Sequence, residues 1–239
     1  MRVVTNQAHV ARQMRNGNAL LIAAMVVYLA GFVQSCLAPE NPVASVVSVV
    51  GLGLGTALWL GSQYFVRRWG PRFRQDAALG QALKGLDNRY TLLSFPGRGL
   101  PDYLLLGPAG VRVLVARAID GTVRCQRDRW SRVGTRAWMS LLLGDPLRNP
   151  TAEATQGVAQ VTRYLERRLA PDDGPRPAVS PIIVFTNPKV RLEIEGSRFP
   201  ATRARDLRAH LQREKGSLRP TDVARLRAVL APQASESSS

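Results

Sequence analysis

Chemistry in this chain has to be sought among carboxylates and arginines, because the other usual reactants are scarce. Only two histidines, His9 and His210, and two cysteines, Cys36 and Cys125, occur in 239 residues. His9 lies in the N-terminal arm and His210 in a basic segment, which argues against a Ser-His or Cys-His nucleophile. Cys36 sits inside an apolar stretch far from Cys125, a spacing that fits neither a disulfide nor a structural zinc site. Arginine is what concentrates: Arg124, Arg127, Arg129, Arg132 and Arg136 follow one another closely. At alternating strand positions several of them would share one exposed face suited to phosphate contacts. No stacking-aromatic pattern accompanies them, so a solvated face is the competing reading, and Trp130 reads as a packing residue.

These groups follow two apolar stretches, residues 19–38 and 43–66, separated by Pro39-Glu40-Asn41-Pro42 and free of Asp, Glu, Lys and Arg. Each matches the roughly 20 residues a helix needs to cross the hydrocarbon core, which predicts a transmembrane helical hairpin in the lipid bilayer. The first stretch is too long for the apolar core of a signal peptide, and the second follows at once. Residues 44–51 have no polar face, which disfavours two core helices of a soluble protein. Arg2, Arg12 and Arg15 precede the spans, Arg67, Arg68, Arg72 and Arg74 follow them, and the connecting loop carries only Glu40. That asymmetry predicts a two-pass inner-membrane protein with both termini in the cytoplasm. Tyr64 and Trp69 fall near the inner boundary, with Arg67 and Arg68 in reach of anionic lipid headgroups. Gly51 and Gly55 share a helix face and permit close approach by the other helix or by a second copy, a route to a homo-oligomer. The glycine run around them lacks the preceding strand and the spacing of a phosphate loop.

The remaining residues can form one well-buried domain and carry most of the excess charge behind the formal net +16. A basic surface beside the inner leaflet suits anionic lipid, DNA or RNA. Only Lys84, Lys189 and Lys215 are lysines, so a bias of base composition is an equally good source of the arginines. Leu79, Leu83 and Leu86 mark a short amphipathic helix over 75–86. Strands are predicted at 90–95, 103–106, 111–116, 122–130 and 181–186, the second and third joined as a hairpin by Gly107-Pro-Ala-Gly110. Asn149-Pro150 reads as a cap with proline at the first helical position, opening a helix whose Val158, Val161, Leu165 and Leu169 line one face. A proline-rich loop spans 171–181. Two basic helices, 202–215 and 221–230, follow. The organisation read from this pattern is an arm over 1–18, the hairpin over 19–66, an α/β domain with a mixed sheet over 70–231, and a disordered tail over 232–239.

The order of elements and the run Pro101-Asp102-Tyr-Leu-Leu-Leu-Gly107-Pro-Ala-Gly110-Val-Arg-Val-Leu-Val-Ala-Arg117, then Asp120-Gly121 and Trp130, resemble the nuclease-related NERD family. That family is similar in its core to the PD-(D/E)XK nucleases. The resemblance covers most of residues 75–230 and implies a restriction-endonuclease-like α/β/α domain. It also implies a metal-binding carboxylate at Asp102 and a Glu-x-Lys pair on the next strand. Such carboxylates on adjacent strands would hold Mg or Mn, and a lysine two residues on would position the attacking water. Here the Glu-x-Lys positions carry Val115 and Arg117. One metal ligand is therefore lost and the amine is replaced by a guanidinium that cannot act as a base. Asp102 is left free to pair with Arg117 or another neighbour. Asp76 stands where the resemblance implies an acid on the first helix, and Glu153 where it implies a glutamine; both could face the cleft, as could Asp120. Their bland readings are a solvated helix start and a carboxylate favoured by a helix N-terminus.

The resulting expectation is a membrane-anchored, catalytically degenerate module that binds nucleic acid or another anionic partner and needs no cofactor. One alternative is an active metal-dependent nuclease with a relocated acid. The other is a membrane assembly protein that recruits a protein partner.

Overall fold

The computed structural model describes residues 1–37, 42–70, 74–97, 99–133, 147–169, 176–214, 216 and 218–231. The expected tail, Arg136, Arg72, most of the 39–42 connection and part of the proline-rich loop lie outside the described residues. The chain divides into two units, residues 7–74 and a discontinuous unit made of 1–6 and 75–239.

The first unit is a pair of helices, α1 (Gln7–Leu37) and α2 (Pro42–Trp69). Both are long and apolar enough to cross a membrane. At 1.5 Å per residue they extend about 46 and 42 Å, more than the roughly 30 Å of a hydrocarbon core. The surplus is at the arm, where α1 begins at Gln7 rather than at residue 19 because the polar residues 7–18 continue the same helix. The helices meet through small residues. A Cβ on Gly55 would stand 2.7 Å from the Tyr28 ring, and one on Gly17 would stand 2.7 Å from Phe65 Cβ. A Cβ on Gly51 would just reach Val27. Of the two occupants the sequence allows for this face, the other helix or a second copy, the structure places the hairpin's own partner helix against Gly55. Two polar pairs join the helices: Tyr28 Oη lies 3.0 Å from Thr56 Oγ1, and Ser35 Oγ donates to Ser48 Oγ at 2.9 Å. Trp69 is 8% exposed and meets the His9 ring edge-on at 5.0 Å, so it closes the helix pair instead of lying outward as a boundary anchor.

The second unit contains a six-stranded mixed sheet. Its strands are β1 (Arg2–Thr5), β2 (Thr91–Ser94), β3 (Tyr103–Gly107), β4 (Gly110–Arg117), β7 (Val179–Phe185) and β9 (Ala201–Arg203), in that spatial order. β2, β3 and β4 are antiparallel neighbours, whereas β1 joins β2, β7 joins β4 and β9 joins β7 in parallel. A smaller sheet has β5 (Thr122–Gln126) between β6 (Arg129–Val133) and β8 (Arg191–Glu195). The helices are α3 (Asp76–Ala82), α4 (Pro150–Arg168), α5 (Ala204–Gln212) and α6 (Pro220–Leu230).

Strand alternation assigns the layers. Leu93, Leu104, Leu106, Val111 and Val113 point to the face covered by Val161 and Leu165 of α4 and by Val223, Leu226 and Leu230 of α6. Arg112 and Tyr103 alternate to the other face. There Arg112 meets Glu214 just beyond α5, and the Tyr103 hydroxyl accepts from the Gln75 amide that leads into α3. The unit is a mixed α/β sandwich, as the pattern predicts.

Two differences from the expected elements have distinct causes, one local and one long-range. The single strand expected over 122–130 is the hairpin β5–β6, because Arg127 and Asp128 turn the chain at φ +48° and +63°. Left-handed conformation at both central residues is what a two-residue hairpin turn requires, and Arg-Asp is not its usual Asn-Gly signature. β1 was expected only as part of an arm; its four residues pair with β2 from Arg2↔Thr91 to Thr5↔Ser94.

α4 starts where Asn149-Pro150 predicts, its Asn149 Oδ1 accepting from the Thr151 and Ala152 amides at 3.1 and 3.3 Å. The helix lies so close to the sheet that a Cβ on Gly157 would stand 2.8 Å from Val113 Cγ1 and 3.3 Å from Pro101 Cγ. Gly157→Ala would gain about 1 kcal/mol of helix propensity but incur about 1–3 kcal/mol of overpacking against a stiff β-branched side chain. We expect a net loss of about 1 kcal/mol, read as a lowered urea midpoint; an unchanged midpoint would show that the helix can slide outward.

Candidate functional site

The C-terminal end of β4, beside that of β7, brings together Asp102, Val115, Arg117 and Glu153. β3 and β4 pair Leu104 with Val113, and continuing that register by two residues sets Asp102 across from Val115, on the face that also carries Arg117. Asp102 accepts the Phe95 amide on its carbonyl at 2.6 Å. Val115 is buried in an apolar cluster with Val123, Ala154, Ile183 and Phe185. It offers no oxygen where the resemblance implies a metal-binding carboxylate.

Arg117 is drawn to α4. Its Nη2 forms an ion pair with Glu153 Oε2, and its Nη1 donates to the Ala116 carbonyl at 3.1 Å. The Arg117 side chain is 13% exposed and that of Glu153 46%. Glu153 thus does more than favour the helix N-terminus, because its carboxylate is the counterion of a nearly buried guanidinium. Arg117 also fixes the adjacent strand end, its carbonyl accepting from the Thr186 amide at 2.9 Å. The Thr186 hydroxyl donates to Gln75 Oε1 at 2.5 Å, while the Gln75 amide donates to the Tyr103 hydroxyl at 2.8 Å. Gln75 and Thr186 were not recognised in the sequence, since a lone Gln and a lone Thr carry no motif.

Asp76 opens α3, directly after the Gln75 that reaches Thr186 at the strand end. Asp120 turns to the small sheet, pairing with Arg132. Among the described residues no group of three or more His, Cys, Asp or Glu is placed to hold a metal ion. A hard divalent cation prefers several oxygen ligands. Residues 115 and 117 instead supply a hydrocarbon and a fixed positive charge, and the implied Mg or Mn does not fit them.

The arginine run is divided by its strands. The register Arg124↔Ser131 and Gln126↔Arg129 puts Arg124 and Arg129 on the outer face of the small sheet, while Val123↔Arg132 sends Arg132 inward to Asp120. Arg127 is in the turn. Glu193 and Glu195 of β8 lie on the same outer face, and Arg124 Nη2 is 2.7 Å from Glu193 Oε2. Arg191 shares that face, which therefore sets three arginines against two carboxylates.

Trp130 is a packing and hydrogen-bonding residue. Its ring lies 5.8 Å from that of Phe185, and its Nε1 donates to Thr151 Oγ1 at 2.8 Å. Thr151 Oγ1 lies 3.1 Å from Asp128 Oδ1, and the Arg198 amide donates to the same oxygen at 2.9 Å. The network ties the β5–β6 turn to the start of α4.

Cys125 is fully buried, and burial pushes its thiol pKa up, partly offset by the Asp128 backbone amide. The folded chain then keeps a proton that the unfolded chain releases above about pH 8.5. Stability from this group is present below that pH and declines as pH rises through it. We expect Cys125 to resist alkylation at pH 8 in the folded protein and to react fully in urea; rapid native labelling would contradict its burial.

No family model, no curated protein and no solved structure matches this chain.

Proposed function

We propose that this protein is a membrane-anchored, nuclease-related module with a restriction-endonuclease-like core, whose site no longer performs metal-dependent cleavage and which binds nucleic acid through phosphate charge. The observation that carries the reading is the ion pair of Arg117 with Glu153 beside the buried Val115. At the end of the sheet where metal chemistry would be assembled, Arg117 brings a cation already engaged by a carboxylate. The excess of arginine supplies the affinity for a polyanion.

Anchorage follows from the two long apolar helices, with Arg12, Arg15 and Arg68 on the helical ends that favour the cytoplasm. The pairing of β1 with β2 supports this topology, because residues on both sides of the hairpin must fold together and two spans return the chain to the starting side. In a Cys36→Ser background, Glu40→Cys should be labelled by an impermeant maleimide on intact cells, and Ser235→Cys should be labelled only after lysis. The reverse pattern would overturn the orientation.

The catalytic part is tested by incubating the full chain in nanodiscs with plasmid and single-stranded DNA in Mg or Mn. Retention without cleavage is expected. Cleavage abolished both by a chelator and by Asp102→Ala would establish a rebuilt active site and overturn the degenerate reading.

A further inference from the structure

An exposed surplus of positive charge lies on α5 and the end of α3, away from the arginine run of the small sheet. Arg205, Arg208 and Arg213 are exposed along α5, whose Leu207 and Leu211 are buried. Arg208 crosses to the end of α3, where its Nη1 donates to the Lys84 carbonyl at 3.4 Å, and a Cβ on Gly85 would stand 2.6 Å from that nitrogen. Lys84 is exposed beside it.

The neighbouring carboxylates are engaged elsewhere. Asp206 takes Arg203 Nε at 2.8 Å and only approaches Arg205 Nε, at 3.8 Å. Glu214 is drawn inward to Arg112 at 2.6 Å, and Asp87 holds Arg89 at 2.6 Å. Lys84, Arg208 and Arg213 therefore keep their full charge toward solvent, and Arg205 keeps most of its own. From Arg205 to Arg213 the helix rises about 12 Å, a length over which duplex DNA presents about seven phosphates.

We propose that this α3–α5 surface, formed by Lys84, Arg205, Arg208 and Arg213, is where a nucleic-acid backbone lies. The inference rests on the nucleic-acid reading above and names its contact surface. Three of the four cations are arginines, whose planar fork matches phosphate oxygens. A helix that lies on a bilayer must offer it an apolar face. The apolar residues of α5 are spent in the core, and its outer stripe carries Arg205, Arg208, Ala209, Gln212 and Arg213. A polyanion in water is thus the fitting occupant.

The test uses the full chain in zwitterionic nanodiscs with a labelled DNA duplex titrated at several salt concentrations. Each lost phosphate contact reduces the slope of log affinity against log salt by about 0.9. Arg205→Gln/Arg208→Gln/Arg213→Gln should reduce it by about 2 to 3 and weaken binding about tenfold or more near 100 mM salt. Arg124→Gln/Arg129→Gln should leave both nearly unchanged. Because Arg208 also covers Gly85, Arg205→Gln/Arg213→Gln, with an unchanged melting temperature, provides the variant free of that structural role. Wild-type protein that binds no duplex at low salt would overturn the functional reading itself. Wild-type binding with an unaltered slope in the α5 variants would overturn this surface alone. So would duplex binding that disappears in anionic nanodiscs while the α5 variants bind normally in zwitterionic ones, which would assign the stripe to lipid.

Discussion

Gly110→Ala is expected to destabilise the α/β unit by about 3–5 kcal/mol, combining backbone strain with a steric collision. Gly110 has φ +109°, a conformation that side chains rarely adopt, and an added Cβ would stand 2.3 Å from the Ala178 carbonyl oxygen. That carbonyl cannot simply retreat, because it accepts the Val111 amide at 2.9 Å and starts the parallel register Val111↔Val179. The substitution therefore attacks the β3–β4 turn and the β4–β7 ladder together, and β4 carries Arg117. Pulse proteolysis in urea would read the loss. Gly80→Ala is the control: it lies inside α3 with nothing within 4 Å of an added Cβ, so alanine should stabilise by about 0.5–1 kcal/mol. Equal midpoints for the two variants would refute the assignment.

Gly55→Leu should separate the two apolar helices, the largest effect expected in the hairpin. Even a single added carbon at this position meets the Tyr28 ring at 2.7 Å, and Tyr28 is held by its hydroxyl to Thr56. In lipid there is no hydrophobic drive to restore the pair, since helix association there rests on close packing and interhelical hydrogen bonds. Gly53→Leu is the matched control, with nothing within 4 Å. Thiols introduced by Leu20→Cys and Gly61→Cys in a Cys36→Ser background would report the separation through a short bifunctional reagent. Crosslinking should fall with Gly55→Leu and persist with Gly53→Leu; persistence in both would show that Tyr28 can swing aside. This changes the meaning of a glycine substitution here, because loss of a larger assembly after Gly55→Leu would follow from a broken hairpin.

Much of the fold was legible because it depends on neighbours in sequence. Asn149-Pro150 marks the start of α4 by supplying the cap and a proline at a position that needs no amide donor. The runs that became β3, β4 and β7 are apolar enough to be buried on both faces. β8 was legible and was passed over: Arg191-Leu-Glu-Ile-Glu195 alternates at every residue. β1 was not legible, since Val3, Val4 and Thr5 are β-branched but too short a run to define a strand until Thr91–Ser94 is placed beside them.

The candidate site divides along the same line. Residue types alone determined that histidine and thiol chemistry had little to work with and that two stretches are apolar enough to span a membrane. Those conclusions need composition and spacing, which are complete in the chain. Which carboxylate neutralises which arginine was decided only by tertiary structure. Glu153 reaches Arg117 because α4 packs over β4, Glu193 reaches Arg124 because β8 pairs with β5, and Glu214 turns inward to Arg112. A charge acts through its distance to other charges, and here those distances are set by elements many residues apart in the chain.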